Sequence, residues 1–364
     1  MNSSTDVLGQ FYEVFLKYGN GAKEIGIVLT PRHITRFAVE AIGISHSDVV
    51  LDPACGTGGF LVAAFDHVRR TCSEAQLESF KNHNLFGIED QSTVAVLAIV
   101  NMIFRGDGRN NITEGNCFST NIKQRATNGH RAMFSDDAPK PGQEAITRVL
   151  MNPPFALKGS LKKEYQFVEQ ALSQMVDGGL LFSLLPLGCM FGAGRERVWR
   201  RDELLAKHTL LAVVSLPAQL FAPGTQKQVL GMVVKKGVPH PKEQSVFWGR
   251  VAHDGHLVIK SRRLEATDFR PARTEHNDIP DLLPHLRSFV AHPESVSVNV
   301  PTLYKTAPID FNDPLLELVP EAYLDSKVPS ASDLQASVNH MVRETAAFLM
   351  RFAKEERVEQ YENC

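Results

Sequence analysis

The sequence predicts an α/β fold with a mostly parallel sheet whose sites lie at the carboxyl ends of the strands, and three observations carry that expectation. Apolar runs of strand length alternate with segments of helical periodicity from Val49 to Lys235. The run Val49-Val50-Leu51-Asp52 passes through a glycine-rich turn, Gly56-Thr57-Gly58-Gly59, directly into a helical segment. The run Val149-Leu150-Met151 stops at Asn152-Pro153-Pro154-Phe155, a loop stiffened by two prolines that fix φ and push Asn152 out of the helical region.

Composition bounds the reading. At 364 residues and 43% hydrophobic, the chain can bury one large core with additions. Neither an apolar run of 18 residues nor a basic-then-apolar leader is present, so a globular cytoplasmic protein without a membrane association is expected. The five cysteines, Cys55, Cys72, Cys117, Cys189 and Cys364, lack Cys-x-x-Cys or Cys/His spacing, so they are read as thiols with no metal site among them. A net charge of -2 gives no broad basic footprint, so contact with nucleic acid must be local or shared with a partner.

Taken in order, residues 1 to 25 hold one helical stretch, Leu8 to Tyr18. Thr30 is read as an N-cap and Pro31 as a first helical residue, opening a helix from about Pro31 to Ile42 with Ile34, Phe37, Ala38 and Ala41 on one face. Its first-turn N–H groups, beside Thr30 and Arg32, suit a carboxylate. In the glycine turn, Gly56 and Gly58 permit close backbone approach, and Gly59 permits packing of the helix Phe60 to Arg70 on the strand. Asp52 precedes these glycines, where it would repel a pyrophosphate but suit the ammonium of an amino-acid moiety. No Walker lysine follows, which argues against triphosphate chemistry.

A second strand, Asn84 to Ile88, ends at Glu89, a candidate acceptor for two ribose hydroxyls, and leads to the helix Ser92 to Phe104. The strand Asn111 to Thr113 follows, with Asn116 placed to meet an adenine edge. Residues 119 to 147 read as a solvated insert, with a substrate-facing loop as the alternative.

Beyond the Asn-Pro-Pro-Phe loop, Tyr165, Val168, Leu172 and Met175 mark a helix ending at Asp177-Gly178-Gly179, ahead of the strand Leu180 to Leu185. The basic run Arg195, Arg197, Arg200 and Arg201 is read as a solvated helix face, with phosphate contact as the alternative. Leu211 to Leu216 and Val229 to Lys235 form an antiparallel final pair. Val246 to Ile259 reads as a hairpin turning at Asp254-Gly255, with His253 and His256 read as turn residues rather than metal ligands. Residues 270 to 330 look like an extended, poorly packed tail, and 331 to 359 regain an apolar helical stripe through Leu334, Val338, Met341, Val342, Ala346, Phe348 and Leu349. The domain division expected is 1–25, a catalytic domain at 26–265, an extended segment at 266–330 and a C-terminal helix at 331–364 that folds back or docks on a partner.

In the Asn-Pro-Pro-Phe loop, the Asn152 side-chain oxygen and the Pro153 carbonyl can each accept one N–H of an exocyclic amine, while Phe155 stacks on the ring that carries it. The alternative is an ordinary Pro-Pro turn with Phe155 in the core. The ordered set Thr30-Pro31-Arg32, Asp52-Pro53-Ala54-Cys55-Gly56-Thr57-Gly58-Gly59-Phe60, Gly87-Ile88-Glu89 and Asn152-Pro153-Pro154-Phe155 resembles the modification subunits of type I restriction systems and related adenine-specific DNA methyltransferases. Asn101-Met102 through Gly106, Gly178-Gly179 and Leu216-Pro217 with Phe221 extend the resemblance.

The resemblance implies a Rossmann-like, S-adenosylmethionine-dependent fold of seven strands with the last antiparallel. It also implies that Thr30, Pro31 and Arg32 lie near the donor's methionine end and that Gly56, Thr57, Gly58 and Gly59 line the donor. Glu89 would hold its ribose, and Asn116, where the family often has Asp, would approach its adenine. Adenine N6 of DNA is the implied acceptor, with Asn152 to Phe155 as the catalytic loop and no metal. No long target-recognition region accompanies these motifs, so a separate specificity subunit is expected, and an associated restriction subunit is a further implied partner. An RNA-base or protein-glutamine methyltransferase, or a binding subunit that has lost turnover, are the rival readings.

Overall fold

The computed structural model describes residues 29–104, 111–124, 132–155, 162–221, 227–259, 262–265, 277–294 and 299–325, together with helical positions Gln335, Val338, Asn339 and Val342. The stretch Leu8 to Tyr18, Gly106, Arg125, Arg131 and most of the expected C-terminal helix lie outside the described residues. The chain divides into two compact units, Met1–Leu324 and Asp325–Cys364.

The first unit is built on β1 (Val50–Asp52), β2 (Leu85–Glu89), β3 (Ile112–Glu114), a ribbon of β4 (Asn121–Gln124) and β5 (Ala132–Ser135), β6 (Ile146–Met151), β7 (Met175–Pro186), β8 (Thr209–Ser215), β9 (Val229–Lys235), β10 (Ser245–Arg250), β11 (His256–Ile259), β12 (Arg262–Glu265) and β13 (Tyr304–Pro308). Among the described residues, nine of these form one sheet in the order β13-β10-β8-β9-β7-β6-β1-β2-β3. The run from β3 to β8 is the expected seven-stranded methyltransferase sheet, with β9 antiparallel to both β7 and β8. β10, parallel to β8, and β13, antiparallel to β10, extend it past that edge.

Successive strand residues alternate between two buried clusters, as a pleated strand covered on both faces requires. Val50, Leu150 and Leu184 enter one cluster, whereas Leu51, Met151 and Leu185 enter the other. Helices α1 (Arg32–Ala41), α2 (Gly59–Val68), α3 (Glu74–His83) and α4 (Ser92–Ile103) supply Phe37, Phe60, Phe80 and Met102 to the first. Helix α5 (Glu164–Ser173) supplies Val168 and Leu172 to the second. None of the described helices is long and apolar enough to cross a membrane.

Four expectations are corrected. The Thr30 side chain does not cap α1: Pro31 stands at the cap position, and the N–H groups of Ile34 and Thr35 bond its carbonyl. The described part of 119 to 147 is not a solvated insert. Ile122 is buried, its N–H donates to Gln174 Oε1 at 2.8 Å, and Phe134 meets Phe86 edge to face at 5.4 Å.

The expected hairpin over 246 to 259 does not form either, because β10 pairs with β8 and β13, and β11 pairs with β12. A strand with apolar residues on both faces, as in Val246-Phe247-Trp248, is stabilised more by the interior of a sheet than by a two-stranded ribbon. Finally, the tail at 270 to 330 is packed over its described residues. Helix α6 (Ile279–Ala291) buries Leu282, Leu286 and Phe289. Trp248 stacks on Tyr323 at 3.8 Å and donates its indole N–H to the Ala307 carbonyl. Sparse apolar residues suffice there because each lands on an already formed sheet.

Candidate active site

The strand order places the site. β1 has β2 on one side and β6 on the other, so the chain reverses direction of sheet growth between β1 and β6, and a crevice opens beyond their carboxyl ends. Asp52 ends β1, Glu89 ends β2, and Asn152 directly follows β6. The register, Asp52 opposite Gly87 and Leu51 opposite Val149, sets Glu89 and Asn152 each two positions beyond Asp52 on either side of it.

Around β1 the backbone turns on glycines. Gly56 and Gly58 take φ of +55° and +83°, the left-handed region that a side chain disfavours, and Gly58 opens helix α2. The Thr57 carbonyl is held by the buried amide of Asn101 at 3.0 Å, a support from α4 whose role the motif spacing did not reveal. Glu89 accepts the Gly56 N–H at 2.9 Å through Oε2 and the Gln91 N–H at 3.0 Å through Oε1, so the acid also fixes the loop. Each oxygen keeps a further lone pair for a hydroxyl donor.

Asp52 is 1% exposed. Its Oδ1 accepts the Ala54 N–H at 3.2 Å, and its Oδ2 is buried without a hydrogen-bond partner. Burial pushes its carboxyl well above the usual range, the Ala54 N–H opposes that, and the neighbouring Glu89 adds to it. An ammonium group placed against Oδ2 would reverse the effect. Burial likewise raises the Cys55 thiol, aided by Asp52 and Glu89, which disfavours its thiolate.

On the other side of the crevice, Asn152 donates its side-chain amide to Thr30 Oγ1 at 3.0 Å. This fixes the amide and leaves Asn152 Oδ1 buried with no hydrogen-bond partner. Pro153 is buried and Pro154 exposed. Phe155 is half-buried, meets Phe221 edge to face at 5.7 Å, and has Lys227 Nζ over its ring at 5.6 Å. Thr30 therefore reaches the site from the segment before α1, with Pro31 at the helix cap and Arg32 as the first helical residue next to it in sequence. Asn116 lies beyond β3 at the same end of the sheet, exposed, with Oδ1 accepting the Phe118 N–H at 2.9 Å.

The basic run is divided by the fold. Arg201 pairs with Asp202 at the surface, whereas Arg200 is fully buried and donates to the carbonyls of Cys189, Phe191, Gly192, Leu315 and Leu316. Reading Arg200 as part of a solvated face is thus corrected.

The residues present fit an amino-acid-bearing nucleoside. A buried acceptor without a partner at Asp52, a side-chain-free turn at Gly56 and Gly58, and an acid at the end of β2 are suited to ammonium, backbone-close and diol groups respectively.

Comparison with known proteins identifies the family and agrees with the fold. Residues 3–278 match the family described as N-6 DNA Methylase. The chain is 35% identical over 281 residues to the type II restriction enzyme and methyltransferase RM.BcgI of Heyndrickxia coagulans, an alignment covering 76% of this chain and 41% of that protein. It is 27% identical over 252 residues to the type I restriction enzyme EcoEI methylase subunit of Escherichia coli, covering 64% and 47%. The chain thus spans less than half the length of either relative. In structure it resembles the methyltransferase subunit of a type I restriction-modification system from Streptococcus thermophilus, with a TM-score of 0.61 at 19% identity, covering 89% of this chain and 65% of that one.

Proposed function

The chain belongs to the N-6 DNA methylase family, and from that premise we propose that it methylates N6 of adenine in DNA with S-adenosylmethionine, as the modification component of a restriction-modification system. The observation that carries the reading is Asn152 Oδ1, a buried acceptor without a partner beside the crevice that Asp52 borders.

Bound S-adenosylmethionine supplies a methyl group on an electron-poor sulfonium. Asp52 would hold its ammonium, Gly56 to Gly59 would lie along it, Glu89 would accept its ribose hydroxyls, and Asn116 would face its adenine. Thr30, Pro31 and Arg32 would lie near its methionine end.

The acceptor nitrogen is a poor nucleophile because its lone pair is delocalised into the purine. Asn152 Oδ1 and the Pro153 carbonyl, by each accepting one N–H, draw that nitrogen toward tetrahedral geometry and aim its lone pair at the methyl. After transfer the nitrogen sheds one proton to solvent water, while Asn152 Oδ1 acts only as a hydrogen-bond acceptor. The target base must leave the duplex, at a cost of about a few kcal/mol, which stacking on Phe155 partly offsets. Phe221, set edge-on to Phe155, holds that platform in place. Sequence choice falls to a separate specificity subunit, with residues 331–364 as a docking segment for a partner. An associated restriction subunit completes the proposed system.

The test uses the full chain with isotopically labelled S-adenosylmethionine, alone and together with a specificity subunit encoded beside it, offering duplex DNA, ribosomal RNA or a glutamine-bearing protein. Label recovered as N6-methyladenine in DNA supports the reading. Label in RNA or protein, or donor binding without transfer to DNA in every combination, overturns it.

A further inference from the structure

Away from the crevice, a second group of side chains converges from segments far apart in sequence. His33 lies in the first turn of α1, and Asp254 and His256 flank Gly255, whose φ of +76° folds the chain back at the start of β11. His33 Nε2 is 2.8 Å from Asp254 Oδ2. His256 Nδ1 is 2.9 Å from the Asp254 carbonyl and 3.8 Å from Asp254 Oδ1. The two imidazoles stack with centroids 4.3 Å apart and planes inclined by 21°. One ligand atom from each of the three residues falls within 4.8 Å of the others.

From this convergence we infer that His33, Asp254 and His256 form a binding site for a divalent transition-metal ion, Zn2+ being the best match. Two imidazole nitrogens and one carboxylate oxygen are a donor set that suits Zn2+, with a fourth position open to water. Tetrahedral ligands at about 2.0–2.1 Å from zinc sit roughly 3.4 Å from one another. The present spacing of 2.8 Å between His33 Nε2 and Asp254 Oδ2 therefore needs to widen by about half an ångström, while ligand atoms now up to 4.8 Å apart must draw together. Zn2+ would take the place of the hydrogen bond between His33 and Asp254.

The electrostatics favour a cation as well. The Asp254 side chain is 1% exposed, and a buried carboxylate is stabilised by a full positive charge beside it. His33 and His256, 22% and 19% exposed, leave a path for the ion from solvent. The His256 main-chain N–H donates to Asp254 Oδ1 at 3.3 Å, which orients the carboxylate independently of the metal.

Such an ion would clamp the start of α1 to the Asp254–His256 turn. The segment just before α1 carries Thr30, so the clamp would steady the frame on which Asn152 rests. It is a structural site, and it holds whatever substrate the crevice takes. Cysteine and histidine spacing could not reveal it, because His33 and Asp254 are 221 positions apart.

The experiment uses the full chain without a histidine tag, stripped by a chelator, then exposed to Zn2+ alone and desalted before metal analysis. One Zn2+ per chain is expected, with a thermal midpoint that rises when Zn2+ is added. His33→Ala and His256→Ala should each weaken Zn2+ binding at least about tenfold and abolish the rise, while His253→Ala, in the same turn but outside the cluster, should bind as the parent does. A parent that retains no more Zn2+ than the His33→Ala/His256→Ala double variant overturns the site, as does equal loss in His253→Ala. Co2+ added to the stripped parent supplies a check that needs no variant: visible d–d bands that Zn2+ displaces support the site, and their absence overturns it.

Discussion

Asn152 donates its side-chain amide to the Thr30 hydroxyl at 3.0 Å across 122 positions of sequence. A residue that local patterning reads as a helix cap is instead the support of the asparagine that opens the Asn-Pro-Pro-Phe loop. The bond fixes which edge of the amide faces Thr30, and the oxygen on the other edge is the one left buried without a partner.

From this pair, Asn152→Ala should lower methyl transfer by roughly 10²–10³-fold, the magnitude seen when one aimed hydrogen-bonding group is lost, with little change in donor affinity. Thr30→Val keeps the shape but removes the acceptor, and a reduction of about tenfold is expected, matching the loss of one hydrogen bond of roughly 1.4 kcal/mol. Single-turnover methylation with donor affinity measured in parallel checks both. A Thr30→Val enzyme as impaired as Asn152→Ala would show that the hydroxyl does more than orient the amide.

Asp52 should trade stability for binding. Its carboxyl is pushed up by burial, so the folded state disfavours the charged form, and stability falls as pH rises from the ordinary carboxylate range through the raised value. Asp52→Asn removes the buried charge and should raise the ligand-free thermal midpoint, by about 1 kcal/mol of stability, while weakening S-adenosylmethionine binding by at least about tenfold. Thermal unfolding and titration calorimetry read the two effects. A midpoint that drops along with affinity would contradict the assignment.

Arg200 ties the Cys189–Gly192 segment to Leu315 and Leu316 through its guanidinium. Lysine cannot reproduce that planar fork, so Arg200→Lys should cost about 3–5 kcal/mol of unfolding free energy in urea. Arg201→Lys, at the surface, should change it by less than about 0.5 kcal/mol.

His208 and His240 set an acid limit. Burial holds both imidazoles down at about 4, with Lys236 and Lys207 contributing at His208. His208 Nδ1 also accepts the Gly237 N–H at 3.2 Å, which requires its neutral form. The unfolded chain takes up these protons near the ordinary histidine value, and the folded chain only near 4. Their contribution to stability is therefore full above about pH 6.5 and is lost as pH falls toward 4. Urea unfolding across that window should show the decline, and His240→Phe should make it shallower; an unchanged slope would assign the pH dependence to other groups.

What the sequence carried was local: strand runs ending in Asp52, Glu89 and Asn152, the glycine turn whose φ values permit no ordinary side chain, and the proline-stiffened loop before Phe155. Where meaning depended on a distant neighbour, local pattern misled. Val246 to Trp248 read as one arm of a hairpin because period and turn residues are the same in either setting, and residues 279 to 308 read as a tail because their few apolar side chains pack on strands supplied from elsewhere. Arg200 looked solvated because charge alone does not say that five carbonyls await it.

The sequence by itself determined the family, the succession of strands and helices along the central part of the chain and which residues stand at the strand ends, because backbone sterics and hydrophobic periodicity act over a few residues. The tertiary structure alone decided that Thr30 holds Asn152, that β10 and β13 lengthen the sheet, and that His33 meets Asp254 and His256. Those pairings come from packing the sheet and its helices around a shared core, and a free energy that depends on which distant surfaces meet leaves no trace in the spacing of neighbours along the chain.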